Sequence, residues 1–346
     1  MKNWKEEYKK LNDSFDTVMV YRMGIDAGFF TEYAKMIRAM LYCLQHHIKF
    51  KLYTKDANFS YQNGWTDFFV PFTEEVNDDF HQIYNRHRTP SWQRTFKECL
   101  KRKNISMIIW KLKVALQGFI GHCIGWKLYG KWTLMNQDAS FDPNNCYCIP
   151  ELEINGGYRQ AFSRMIDITW ELNEDTKKLT ESLKKELNIP LHYIGMQARG
   201  GDKIIEMDLM KTETYFDILD STCQKEGIQN VFLLTDDYTI YKELLDTCPQ
   251  IKWFTLCTEK EKGYVNREFS HAAKELKETR MKRFLASMQI LMEAEHFIGT
   301  ITTGPCMFLF KYMYPHITVM DYDKDKLDEI IGTPIEKRVE LTLGYH

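Results

Sequence analysis

Short apolar runs alternate with longer amphipathic stretches through the second half of the chain. Runs over 193–198, 230–235, 251–255 and 296–301 are continuous and rich in Ile, Val, Phe and Leu. Such runs predict strands of a parallel sheet buried on both faces. Between them, 214–225, 239–247 and about 282–295 carry helical periodicity. Strictly alternating strands and helices predict a doubly wound, Rossmann-like domain.

The first half opens in the same way. Residues 17–23 predict a buried strand, and Gly24-Ile25-Asp26-Ala27-Gly28 turns the chain. A helix follows over 31–46, with Met36, Met40 and Leu44 on one face, then a strand over 49–53. This is a βαβ unit. Asn173 is a good N-cap for a helix over 174–187, which Asn188-Ile189-Pro190 stops. The expected division is an α/β domain over 1–172, a Rossmann-like domain over 173–323, and a tail over 324–346 that packs back across the interface.

The segment 97–134 breaks this regularity. It holds eight Lys or Arg against one acid, Glu98, interleaved with Trp110, Phe119, Trp126 and many aliphatic residues. A packed helix pair with a solvated basic face accounts for it. So does a helix lying on an anionic membrane surface.

Composition sharpens the picture. At 346 residues the chain suits two domains. A net charge of −2 excludes the strongly basic balance of a nucleic-acid binder. The polar start, Met1 to Glu7, lacks an apolar signal-peptide core, and no run is apolar enough to span a bilayer. Nine scattered cysteines follow no disulfide framework, which predicts reduced thiols and a cytoplasmic setting.

Candidate chemistry sits at strand ends, where open parallel sheets bind ligands. One strand ends in Gln197-Ala198-Arg199-Gly200-Gly201-Asp202-Lys203, with Glu206 beyond. Arg199 can grip a diphosphate with its planar fork, and the glycines let backbone amides approach phosphate oxygens. A second strand ends in Thr235-Asp236-Asp237, a third in Thr302-Thr303-Gly304-Pro305. The threonines offer hydroxyl and amide donors to the same anion. Asp236 and Asp237 read as supports for the Arg199 turn; a metal site is the alternative, with no further ligand at metal spacing. Asp202, Lys203 and Glu206 are either a solvated helix entry or the acceptor-binding and proton-removing groups.

These blocks resemble the α1,6-fucosyltransferases, the family of animal core fucosylation and rhizobial Nod-factor fucosylation. The family carries H-x-R-x-x-D-K after a strand, then a glutamate and a tyrosine nine residues later, matched here by Glu206 and Tyr215. Its strand–T-D-D block is similar to Leu233 through Asp237, and its third block to Ala294 through Cys306. Its N-W-x-Y-x-x-G-G-W stretch is similar to Asn58 through Pro71, and its glycine-rich phosphate loop falls at Ala27-Gly28-Phe29-Phe30.

The resemblance implies a GT-B fold, two Rossmann-like domains facing a central cleft. It implies inverting, metal-independent transfer of L-fucose from GDP-fucose, with no other cofactor. Arg199 would hold the pyrophosphate, helped by Gly28, Phe29, Thr302 and Thr303. Tyr61 would lie along the nucleoside, and Tyr215 would orient the Glu206–Lys203 pair or the fucose. Glu206 would be the general base, with Lys203 and Asp202 beside it. The acceptor would be a glycan or lipid-linked oligosaccharide, in bacterial surface-glycan synthesis, with 97–134 touching the inner leaflet.

Two positions depart from the pattern. Gln197 replaces the family's histidine, and Ser287 stands where an aspartate reads guanine. Another nucleotide sugar is therefore an alternative donor. A catalytically inactive GT-B scaffold that binds glycan or membrane is the alternative from another class.

Overall fold

The computed structural model describes residues 2–24, 27–85, 101, 105–133, 145–198, 212–263, 268–269, 271–331, 333, 338 and 341. Thr17–Arg22 (β1), Phe29–Gln45 (α2) and Ile48–Tyr53 (β2) form the opening βαβ unit, preceded by Trp4–Asp13 (α1). All six residues of β1 pair in parallel with β2, and Trp132–Thr133 (β3) pairs with the other edge of β1. Phe80–Tyr84 is α3 and Ile105–Tyr129 is α4. Tyr147–Ile149 (β4) and Ile154–Gly156 (β5) make a small antiparallel hairpin before Tyr158–Thr169 (α5).

The second half begins with Glu174–Leu187 (α6). The Asn173 side chain accepts its Thr176 amide at 2.9 Å, and Asn188 closes it in the left-handed region. Ile194–Gln197 (β6), Asn230–Leu234 (β7), Lys252–Thr255 (β8), His296–Gly299 (β9) and Ile317–Val319 (β10) follow. Between them run Thr212–Glu226 (α7), Tyr238–Thr247 (α8), Lys274–Met292 (α9) and Gly304–Met313 (α10); Leu327–Ile330 (α11) comes last. The sheet is parallel throughout, in the order β10-β9-β6-β7-β8.

Strand alternation fills both faces of that sheet. Phe232, Phe254 and Phe297 enter the main core, while Ile194, Met196, Val231, Leu233 and Ile298 build a second cluster opposite. The main core is shared by both halves of the chain. It runs from Tyr8 and Trp65 through Phe162 and Trp170 to Leu285, Phe308 and Ile331. Described tail residues also reach back: Arg159 of α5 pairs with Asp328 at 2.8 Å, and Arg338 donates to the Ile301 carbonyl at 2.7 Å. No described helix is long and apolar enough to cross a membrane.

Several elements differ from the expected boundaries. Helix α9 starts at Lys274, two turns before the expected 282, because its first turns are charged and carry no apolar stripe. The 97–134 segment contributes one long described helix, α4, and then the edge strand β3. Helices α1, α5 and α10 add to the sequence expectation.

Glu75 is a half-buried carboxyl of the first half. Thr54 Oγ1 donates to its Oε2 at 2.9 Å, while Oε1 is buried without a partner among the described residues. Burial pushes the Glu75 carboxyl up from 4.5 to about 7, against the Thr54 bond, which lowers it. The folded state therefore holds a proton that the unfolded chain releases between those values. This contribution to stability is full below about pH 4.5 and is lost as pH rises through about 7. Glu75→Gln should raise the melting temperature at pH 8 and leave it nearly unchanged at pH 4, as read by thermal unfolding.

Candidate functional site

Strand β1 ends at Arg22, and Gly24 turns the chain with φ +79. A Cβ at Gly24 would lie 2.6 Å from Ala57 Cβ, so the turn needs glycine. Glu32 Oε2, buried on the first turn of α2, accepts the Gly24 amide at 3.2 Å. Asn58 fastens the other side, its amide to the Gly24 carbonyl at 2.7 Å and its side chain to the Ala27 carbonyl at 2.9 Å. Gly28 is then the extended N-cap of α2, and a Cβ there would meet nothing within 4 Å. The N-cap of α2 is therefore uncovered on the Cβ side of Gly28 among the described residues.

A second helix begins beside it. After β9, the Ile301 amide donates to the Asp321 carboxylate at 2.9 Å. Thr302 is buried with its hydroxyl 3.0 Å from that of Thr300. Thr303 caps α10 by accepting the Cys306 amide at 3.2 Å and donates to Gln197 Oε1 at 2.8 Å. Cys306 Sγ donates to the same oxygen at 2.8 Å. Gly304 then abuts α2: a Cβ there would sit 3.2 Å from Phe30 Cβ and 4.0 Å from the Thr31 amide nitrogen. A side chain would wedge the two helix starts apart.

Two helices from opposite halves of the chain thus start against each other. Each start carries roughly half a positive charge. At α10, Pro305 has no N–H and Thr303 takes the Cys306 amide, which leaves that of Gly304 for a ligand. Facing like ends repel, and an anion between them relieves that repulsion. Their relative position is fixed by aromatic packing: Phe30 and Trp170 lie 4.8 and 4.9 Å from Phe308, and Phe30 lies 5.6 Å from Phe284.

Sheet topology puts this point at a crevice. From β6 the strand order runs one way to β7 and β8 and the other way to β9 and β10, so it reverses between β6 and β9. The Gln197–Thr303 bond ties the ends of those two strands together. Parallel sheets bind their ligands at such a reversal.

The candidate residues fall into three groups. Gly28, Phe29, Thr302, Thr303 and Gln197 gather at the paired helix starts. There the Thr302, Thr303 and Gln197 side chains hold the turn together, and the Phe29 ring is buried against Phe59 and Phe69. Arg199, Asp202, Lys203 and Glu206 lie outside the described residues, as does the Tyr215 side chain; the last described residue before them, Ala198, stands at the reversal point.

The third group lies on the loop after β7, on α9 and on the Tyr61 loop. Asp237 Oδ1 caps α8, accepting the Thr239 amide at 2.9 Å and hydroxyl at 2.7 Å. The Asp236 carbonyl accepts the Gly263 amide at 2.7 Å. Ser287 is buried and donates to the Arg283 carbonyl at 3.0 Å. One to three turns back along α9, Arg283, Lys282 and Glu278 line a cavity of about 550 Å³ between α6, α9 and the loop after β8. Tyr61 comes from the first half, and the Lys282 ammonium lies 5.6 Å from its ring centre.

Chief among the residues that sequence reasoning missed is Asp67. Its buried carboxylate accepts the amides of Tyr61, Gln62 and Gly64 on Oδ2 at 2.9 to 3.1 Å and that of Asn63 on Oδ1 at 2.8 Å. This fixes the Tyr61 loop. The Gly64-Trp65-Thr66-Asp67 spacing is the only signal in the sequence, and it resembles an ordinary turn. Glu32, Asn58 and Asp321 were also missed, since each acts on backbone distant in sequence or across a turn.

No protein-family model and no curated protein matches the sequence. Solved structures match it in fold. A fucosyltransferase NodZ from Bradyrhizobium superposes with a TM-score of 0.51 at 13% identity, over 88% of this chain and 96% of that one. POFUT1, solved in complex with GDP, superposes with a TM-score of 0.51 at 8% identity, over 88% and 98%. At these identities the likeness concerns the fold: this chain has the GT-B architecture that those fucosyltransferases share.

Proposed function

We propose that the chain is an inverting, metal-independent glycosyltransferase that moves L-fucose from GDP-fucose to a hydroxyl of a glycan or lipid-linked acceptor. The observation that supports it most is the pair of opposed helix starts at the strand-order reversal, which suits a diphosphate. The fold neighbours agree with this, one being a fucosyltransferase and another solved with GDP.

In this proposal Arg199 neutralises the diphosphate as the bond from the anomeric carbon to its oxygen breaks. Glu206 takes the proton of the acceptor hydroxyl while that oxygen attacks the opposite face, which inverts the centre. Asp202 and Lys203 place that carboxylate, and Tyr215 orients the sugar. Asp236 and Asp237 support the loops; the capping bonds of Asp237 favour this over metal binding. Bacterial surface-glycan assembly in the cytoplasm is the setting we favour.

A nucleotide-sugar panel tests the donor. Hydrolysis or transfer should be fastest with GDP-fucose and unchanged by EDTA. A second reading keeps the reaction and changes the base. It is favoured by Ser287, whose hydroxyl is turned onto its own helix where a guanine-reading acid would stand. Tighter binding of UDP than of GDP would select it, and loss of activity in EDTA would restore the metal reading of Asp236-Asp237.

A further inference from the structure

Helix α4 carries the largest exposed apolar stripe among the described residues. Ile109, Leu112, Leu116, Phe119 and Trp126 recur at intervals of three, four, three and seven, which sets them along one face. All are more than half exposed, and Phe119 and Trp126 reach 67%. The opposite face packs at Gly121 and Gly125, with the exposed Trp110 and Leu128 towards its two ends. A Cβ at Gly121 would lie 2.6 Å from Tyr84 Cβ, and Gly125 rests against the Trp132 indole. At the end of the helix, Tyr129 donates to Asp78 at 2.7 Å and lies 2.9 Å from His81 Nε2. The stripe therefore points away from the fold.

Charge selects the occupant. No Asp or Glu lies between Glu98 and Asp138. Exposed Lys113 and Lys127 border the stripe, and Lys131, 72% exposed, lies 3.8 Å from Asp16. Strict three-and-four spacing also suits a helix pair. A second copy of α4, however, would bring lysines to lysines with no acid to answer them. Aromatic and aliphatic side chains flanked by lysines suit an anionic lipid surface, where rings settle at the headgroup level and ammonium groups reach the phosphates.

We infer that α4 is an interfacial helix that docks the protein on a bilayer rich in anionic lipid, apolar stripe inward. The attachment is independent of which nucleotide sugar the cleft takes.

The test is co-sedimentation of the full chain with neutral phosphatidylcholine vesicles and with vesicles containing phosphatidylglycerol. Binding should require phosphatidylglycerol and weaken with added salt. Phe119→Glu with Trp126→Glu, and separately Lys113→Glu with Lys127→Glu, should each lower the bound fraction at least tenfold without altering the thermal melt. Equal sedimentation with both vesicle types, or with neither, would overturn the inference. So would a dimer in light scattering that the Phe119 and Trp126 substitutions dissociate while vesicle binding is unaffected.

Discussion

Arg199→Ala should lower kcat/KM with the preferred nucleotide sugar by about 10² to 10³, the range for removing one fixed donor from a developing oxyanion. Charge builds on the diphosphate as the sugar departs. Two helix starts give it partial positive charge and amides, but only a formal cation balances a full unit of it. Arg199 follows the last described residue of the segment that leaves β6 at the strand-order reversal, so its position along the chain suits that duty. Arg199→Lys should recover part of the rate, since it restores charge without the bidentate fork. Steady-state kinetics with the panel checks both. An Arg199→Ala enzyme with unchanged turnover and donor affinity would place the cationic duty elsewhere.

Asp67→Ala should be the most destabilising single substitution around the cleft, by about 2 to 3 kcal/mol, the upper range for hydrogen bonds to a charged acceptor. One carboxylate accepts four successive backbone amides and the Ser60 hydroxyl at 3.1 Å. Without it the buried Gly64 amide is left unpaired, at about 1 to 3 kcal/mol before relaxation, and the part-buried donors of Ser60 to Asn63 lose their shared acceptor to water. Gly64, at φ +89 and with its Cβ position within 2.5 Å of the Thr54 carbonyl oxygen, leaves the loop no other path. Against a typical total of roughly 5 to 15 kcal/mol, this is a large loss. Asp67→Asn, which keeps one acceptor oxygen, should lose less. Denaturant unfolding measures both; a loss below about 1 kcal/mol for Asp67→Ala would show that the loop finds other acceptors.

The sequence made the second sheet legible because its strands are continuous apolar runs between amphipathic helices. The turn at Gly28 and the cap at Thr303 were legible as strand ends that offer donors. What did not show was their meeting. That Gly304 touches Phe30 depends on packing of Phe30, Trp170, Phe284 and Phe308, residues far apart in sequence whose apolar character says only that they are buried. Gln197 drew attention as a replacement for histidine; its Oε1 is occupied by Thr303 and Cys306, a bond no spacing rule announces. The basic segment was legible as unusual, while the direction of its apolar face required the glycine contacts of Gly121 and Gly125.

A crystal structure with GDP bound bears most directly on the account. The diphosphate oxygens should lie within about 3 Å of the first amides of α2 and α10, between Gly28 and Gly304, with the Arg199 guanidinium on the same phosphates. A diphosphate bound away from both helix starts, or Arg199 turned into an ion pair on the far side of the sheet, would contradict it.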